Sequence, residues 1–242
     1  MVALAEKLKF VPGWYEQLIE NGNEKIELAH FIKDHLVKTN TKKLLEIGMG
    51  TQPIFSNILS DHVDMYTIVE REAALNVRLS SNVTMIQQDF EEAAIDSAFD
   101  LIILSHVIYY FSDLERAIKK AMNLLSQNGR AVFVVNGIEN DYGRVKHAFA
   151  DISETKFVFT YERLHEALRL QELDFEEHTI QTSIHFDSHQ ALYERLRLFF
   201  DLFPQEYSQN KIKIIDWLKN NIKNSEFFMD QKIIVVRNPF GS

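Results

Sequence analysis

The chain of 242 residues has no cysteine, which excludes disulfide frameworks, thiolate nucleophiles and every Cys-ligated zinc or iron–sulfur site. Basic residues are also in deficit. Lys and Arg number 26 against 35 Asp and Glu, and a formal charge of −9 argues against affinity for nucleic-acid backbone or anionic lipid. With only eight glycines and four prolines, the chain has too few turn residues for a many-stranded all-β protein. Long apolar runs are missing too; stretches such as Leu101 to Leu104 have the length of a buried strand, not of a membrane span. The first ten residues interrupt a short apolar stretch with Glu6, Lys7 and Lys9, unlike an export signal. These features predict a cytoplasmic protein.

What is present reads as one globular unit, with 46% hydrophobic and 25% charged residues and no repeat or linker. Short β-branched runs at 43–47, 65–69, 83–87, 100–105 and 131–135 alternate with helical spacing at 53–60 and 113–126. That rhythm predicts an α/β parallel sheet. Asn128-Gly129 is expected to stop the second of these helices. Beyond residue 136, helices are expected at 143–151 and 161–171 with Thr160 as N-cap, followed by a long strand at 175–186. Ser188 is expected to cap a helix running to about Leu202 and ended by Pro204. Another helix at 209–222 precedes a final strand at 232–236. One or two amphipathic helices over 14–37 open the fold. The predicted division is therefore a helical lid over 1–40, a ligand-binding half over 41–136, and a second half over 137–240 carrying a helical insertion at about 187–226.

The strongest local signal is Leu44-Leu45-Glu46-Ile47-Gly48-Met49-Gly50-Thr51, an apolar strand entering a Gly-x-Gly turn. Glycine is required where backbone turns sharply and must approach a ligand without a Cβ. The third glycine of a dinucleotide fingerprint would fall at Pro53, which argues against NAD. Glu70 ends the second strand twenty residues after Gly50, where a carboxylate accepts from ribose hydroxyls. Asp89 ends the third strand, placed for an adenine amino group, and Phe90 is placed to cover the ring. The ordered series at successive strand ends predicts a nucleoside site.

At these residues the sequence resembles the class I S-adenosylmethionine-dependent methyltransferases. The resemblance implies a seven-stranded Rossmann-like sheet, mostly parallel with its last strand antiparallel, and S-adenosylmethionine as cofactor. It implies Glu46 near the methionine ammonium, Gly48 and Gly50 in the cofactor turn, Glu70 on the ribose, Asp89 at the adenine and Ser105 in contact with the cofactor. Gln52 departs from the family's frequent third glycine.

Methyl transfer by direct displacement needs an aligned, desolvated and unprotonated acceptor more than it needs covalent chemistry. His106, just past the fourth strand, is the candidate base or positioning group. Tyr109 is a candidate for the acceptor pocket, in the aromatic cluster Tyr109-Tyr110-Phe111. A narrower resemblance is to histamine N-methyltransferases, through Ser105-His106-Val107-Ile108-Tyr109-Tyr110 and through Gly22-Asn23-Glu24-Lys25. It implies Glu24 as the acidic acceptor-binding residue. His106 stands where that family uses glutamine, and Asp230 lies near the place of an asparagine. Tyr15 is added from its position in the lid helix. The expected acceptor is a small cationic or neutral amine, methylated without a metal; the alternatives are a hydroxyl or carboxyl acceptor, or a cofactor-binding protein that regulates without catalysis or modifies a partner protein.

Overall fold

The computed structural model describes residues 11–72, 77–156 and 158–239. The first ten residues of the expected lid therefore lie outside the described residues. Seven strands form one sheet in the order β3-β2-β1-β4-β5-β7-β6. They are β1 (Lys43–Ile47), β2 (Met65–Glu70), β3 (Val83–Gln87), β4 (Phe99–Ser105), β5 (Leu125–Asn136), β6 (Phe175–His185) and β7 (Glu226–Arg237). The first five run parallel, and β7 inserts antiparallel between β5 and β6. The expected strands and the antiparallel last strand are thus all present.

Central strands covered on both faces should be buried and mostly apolar, and β1, β2 and β4 are, with polar residues only at their ends and at Glu46 and Thr67. Their alternation sends side chains to two cores. Leu45, Ile47, Ile102, Leu104, Phe133 and Val135 face α4 (Leu114–Asn123) and α6 (Thr160–Leu170). Leu44, Ile68, Ile103 and Val134 face α2 (Glu24–Phe31) and α3 (Ile54–Leu59). A third core joins α5 (Asn140–Ser153) to α7 (His189–Arg195), α8 (Pro204–Gln209) and α9 (Lys211–Asn221) around Phe149, Phe200, Tyr207 and Leu218. This last cluster also receives Leu18 of α1 (Pro12–Ile19), so α1 packs with the helices that lie between β6 and β7.

Three local expectations change. The helix expected to reach Ser126 ends at Asn123, and Asn128-Gly129 lies inside β5, where pairing slips from Phe99↔Leu125 to Leu101↔Arg130. A Cβ on Gly129 would meet the Phe99 carbonyl at 2.7 Å, so this glycine permits a bulge and not a helix stop. Thr160 is the first helical residue; Phe159 is the N-cap and gives no side-chain bond. Ser188 does cap α7, accepting from the Ala191 amide, but the α-helix ends at Arg195 and tightens to a 3₁₀ segment over Leu196–Phe200. Pro204 then begins α8, where its missing N–H is harmless.

Between α1 and α2, the chain is tied to the edge strand β6. The Asn23 amide donates to the Ser183 carbonyl at 3.2 Å, and the Asn23 side chain accepts from the Ser183 amide at 2.9 Å. Four backbone and side-chain groups so engaged fix where α2 starts. Its first two residues, Glu24 and Lys25, are both buried.

Candidate functional site

Strand order reverses between β1 and β4, and open α/β sheets bind ligands beyond the carboxyl ends of their strands at such a point. A cavity enclosing about 870 Å³, partly open to solvent, lies there. Its floor is the loop after β1 and the ends of β2, β3 and β4; its cover is α1, the start of α2, and Leu198 and Phe199 of the insertion.

The loop after β1 carries the only two described glycines with positive φ, Gly48 at 79° and Gly50 at 76°. A Cβ at Gly48 would stand 2.8 Å from Val107 Cγ2, and one at Gly50 would stand 2.8 Å from the Tyr15 ring. Both conformation and space therefore demand glycine. Glu70 orders the turn: its Oε2 accepts from the Gly50 amide and its Oε1 from the Glu72 amide, each at 2.9 Å. Each oxygen keeps a further acceptor site for a ligand hydroxyl. Asp89 and Phe90 line the cavity one strand further along, and Asp89 Oδ1 accepts from the Glu91 amide at 3.0 Å. In the loop after β1, Thr51 Oγ1 is buried without a hydrogen-bond partner among the described residues, but Thr51 is not among the residues that line the cavity.

Glu46 behaves differently from its expected role. Its side chain is buried on the α2/α3 side of the sheet and accepts from Tyr66 Oη at 2.7 Å. Burial pushes its carboxyl up to about 7, against the lowering effects of the Tyr66 bond and of Lys25. It is not among the residues that line the cavity.

On the other flank, His106 adopts a left-handed φ of 52°, a conformation that costs a non-glycine residue and points to functional constraint. Its Nε2 lies 2.9 Å from Gln231 Oε1 and 3.3 Å from Glu24 Oε1. Gln231, fully buried, turns its Nε2 toward Glu24 Oε2 (3.2 Å), Asn136 Oδ1 (3.1 Å) and Thr182 Oγ1 (2.9 Å). Thr182 donates its own hydroxyl proton to the Met229 carbonyl at 3.4 Å, so it can only accept from the amide. Burial lowers the His106 pKa, with the Glu24 charge acting in the opposite direction. Lys25 lies next to this group, with its Nζ 3.4 Å from Ser105 Oγ.

Tyr15, Glu24, Gly48, Gly50, Glu70, Asp89, Phe90, Ser105, His106 and Tyr109 thus meet at one cavity, as their positions in the sequence led us to expect. Asp230 does not join them. Strand alternation turns it away, its carboxylate accepts from Asn140 Nδ2, and the neighbouring Gln231 takes the interior position instead. Lys25, Asn136 and Gln231 were not singled out from sequence. Asn136 carried a usable signal, being the polar residue that ends the apolar run of β5. Lys25 and Gln231 carried none, since a single polar residue in a helix turn or a strand usually faces solvent.

The sheet order, the glycine turn and the acidic strand ends define a nucleoside-cofactor α/β protein of the methyltransferase type. The chain belongs to the methyltransferase domain family whose model matches residues 21–199. Among solved structures it is similar to the N-methyltransferase NodS of Bradyrhizobium japonicum WM9 bound to S-adenosylhomocysteine, with 18% identity over 98% of this chain and 97% of that one, and a TM-score of 0.55. A putative methyltransferase of Bacillus halodurans C-125 shares 15% identity over 88% and 99% of the two chains, with a TM-score of 0.60. A Haemonchus contortus phosphoethanolamine N-methyltransferase, solved with phosphomonomethylethanolamine and S-adenosylhomocysteine, shares 14% identity over 90% of this chain and 52% of that one, with a TM-score of 0.55. No curated protein sequence matches the chain. The protein is an S-adenosylmethionine-dependent methyltransferase. Among the described residues, no helix is long and apolar enough to cross a membrane.

Proposed function

We propose that the protein methylates the nitrogen of a small amine, with α1, the start of α2 and the 187–226 insertion closing over both substrates. S-adenosylmethionine supplies an electrophilic methyl group on sulfur. Gly48, Gly50, Glu70, Asp89, Phe90 and Ser105 are the cofactor-binding residues in this reading. Tyr15, Glu24, His106 and Tyr109 form the acceptor side.

The observation that carries the reading is the buried Glu24–His106–Gln231 group. An amine arrives protonated and must lose a proton before its lone pair can attack. His106 Nε2 faces two acceptors, Gln231 Oε1 and Glu24 Oε1, so in the neutral ring it carries the proton. The Nδ1 lone pair is then left for the acceptor, and it makes no hydrogen bond to a described residue. Glu24 contributes a negative charge that favours a cationic ligand in a low-dielectric site. Tyr109 and Tyr15, held un-ionised by burial, supply aromatic walls suited to positive charge. Two of the similar solved structures are named N-methyltransferases, in line with this reading.

S-adenosylhomocysteine release should be measured over histamine, other biogenic amines, and matched phenols and carboxylates. Turnover confined to amines and reduced by Glu24→Gln supports the proposal. Turnover of phenols alone would make His106 the base for an O–H acceptor and overturn it.

A further inference from the structure

Lys25 is the one lysine that lines the cavity, and the chemistry described so far does not use it. Its residue is 5% exposed, so an ammonium group with three donor protons stands away from bulk water. Among the described residues, the only hydrogen bond its Nζ makes is to Ser105 Oγ, at a long 3.4 Å. On one side it rests over the Phe55 ring, 4.8 Å from the centroid. Glu24, Glu46 and Glu70 act on it through space, yet none comes within ion-pair contact. Glu46, the nearest in role to a counter-ion, has its Oε2 taken by Tyr66 and is itself pushed toward neutrality by burial. A buried ammonium with one long hydrogen bond is costly unless an anion completes it.

The order of the strands says which anion. The adenine and ribose positions lie at the ends of β3 and β2, at Asp89 and Glu70, and the glycine turn follows β1. A cofactor laid along β3-β2-β1-β4 brings its amino-acid end to β4, where Ser105 and the Lys25 ammonium stand. Of the two charges at that end, only the carboxylate complements Lys25.

We propose that Lys25 binds the carboxylate of the cofactor's amino-acid end, with Ser105 Oγ holding the ammonium in place. The proposal rests on the cofactor position given above and is independent of the acceptor's identity. It makes α2 a bifunctional segment: Glu24 faces the acceptor and its neighbour Lys25 faces the cofactor.

Calorimetric binding to the intact protein tests it, using S-adenosylhomocysteine, the analogue lacking only the carboxylate, and 5′-methylthioadenosine, which lacks the amino-acid end. Wild type should bind S-adenosylhomocysteine about tenfold or more tightly than the decarboxylated analogue, the range expected for a charged hydrogen bond. Lys25→Met should erase that preference while leaving the decarboxylated analogue within about twofold of wild type, and Lys25→Arg should restore most of it. Equal loss for both ligands in Lys25→Met would reduce Lys25 to a packing role and overturn the proposal. Equal affinity of wild type for the two ligands overturns it without any variant. Failure of wild type to bind 5′-methylthioadenosine, with S-adenosylhomocysteine bound, would instead remove the adenosine placement on which the proposal stands.

Discussion

The side-chain amide of Gln231 turns its carbonyl oxygen to His106 Nε2 at 2.9 Å because three oxygens surround its nitrogen and compete for its two protons. Reversing the amide would set oxygen against Glu24, Asn136 and Thr182 at once, so the orientation is fixed by its surroundings. The imidazole tautomer is fixed in turn.

Gln231→Leu is expected to weaken this control while preserving side-chain volume. The ring loses the shorter of the two Nε2 contacts that leave Nδ1 for the proposed base role, keeping only Glu24 Oε1 at 3.3 Å, and Glu24 loses a donor. Steady-state kinetics should show kcat reduced by about tenfold or more, from the loss of an interaction worth ~1–3 kcal/mol. Cofactor affinity should hold, because Gln231 does not reach the glycine turn. A kcat within twofold of wild type would exclude the positioning role.

The pH profile follows from the same group. Burial lowers the His106 pKa first, the Glu24 charge raises it, Lys25 lowers it, and the Gln231 bond raises it, with a net downward shift. A base must be neutral to act, so activity is present above its pKa and lost as pH falls through it. The acid limb of kcat/KM should therefore lie below the usual imidazole range. In Glu24→Gln the residual activity should show that limb displaced further toward acid, since a raising charge is gone. A limb that moves upward would show that Glu24 does not face His106 in solution.

The alternation of apolar strands and helical spacing placed all seven strands, because strands buried on both faces leave a dense apolar signature, but β5 and β7 each begin six residues earlier than their apolar runs at 131–135 and 232–236. The glycine turn was equally plain: positive φ at Gly48 and Gly50 has a residue-level cause. What stayed hidden depended on long-range pairing. Whether Asp230 or Gln231 faces the interior is set by the register Asn136↔Gln231, and a one-residue difference exchanges the two faces. Glu46 matched the family motif, yet its carboxylate is taken by Tyr66 on the neighbouring strand, a contact that no local pattern encodes.

Glu46 should also leave a mark on stability. Its carboxyl is raised from 4.5 to about 7, chiefly by burial, so the folded state holds a proton that the unfolded chain releases. Stability from this group accordingly falls as pH rises through that window. Urea unfolding at pH 5 and pH 8 should show wild type losing roughly 2–3 kcal/mol more than Glu46→Gln over the interval. Gln retains an oxygen for the Tyr66 hydroxyl, so the variant is expected to fold. Parallel pH dependence in the two proteins would mean that Glu46 is already ionised at neutral pH.

Helix α1 and the glycine turn meet where Tyr15 lies over Gly50. A methyl group at Gly50 would press on the Tyr15 ring at 2.8–2.9 Å and would also hold a left-handed backbone, which costs an L-residue ~1–2 kcal/mol. Gly50→Ala is therefore expected to weaken S-adenosylhomocysteine binding by about tenfold or more, by displacing both the turn and its cover. Removing the ring relieves only the steric part. Gly50→Ala with Tyr15→Ala should thus bind more tightly than the sum of the two single changes implies, while remaining weaker than Tyr15→Ala alone by the backbone cost. Calorimetry on the four proteins of the cycle separates the two contributions. Strict additivity would show that α1 does not rest on the turn when the cofactor is bound, and would place Tyr15 in the acceptor pocket alone.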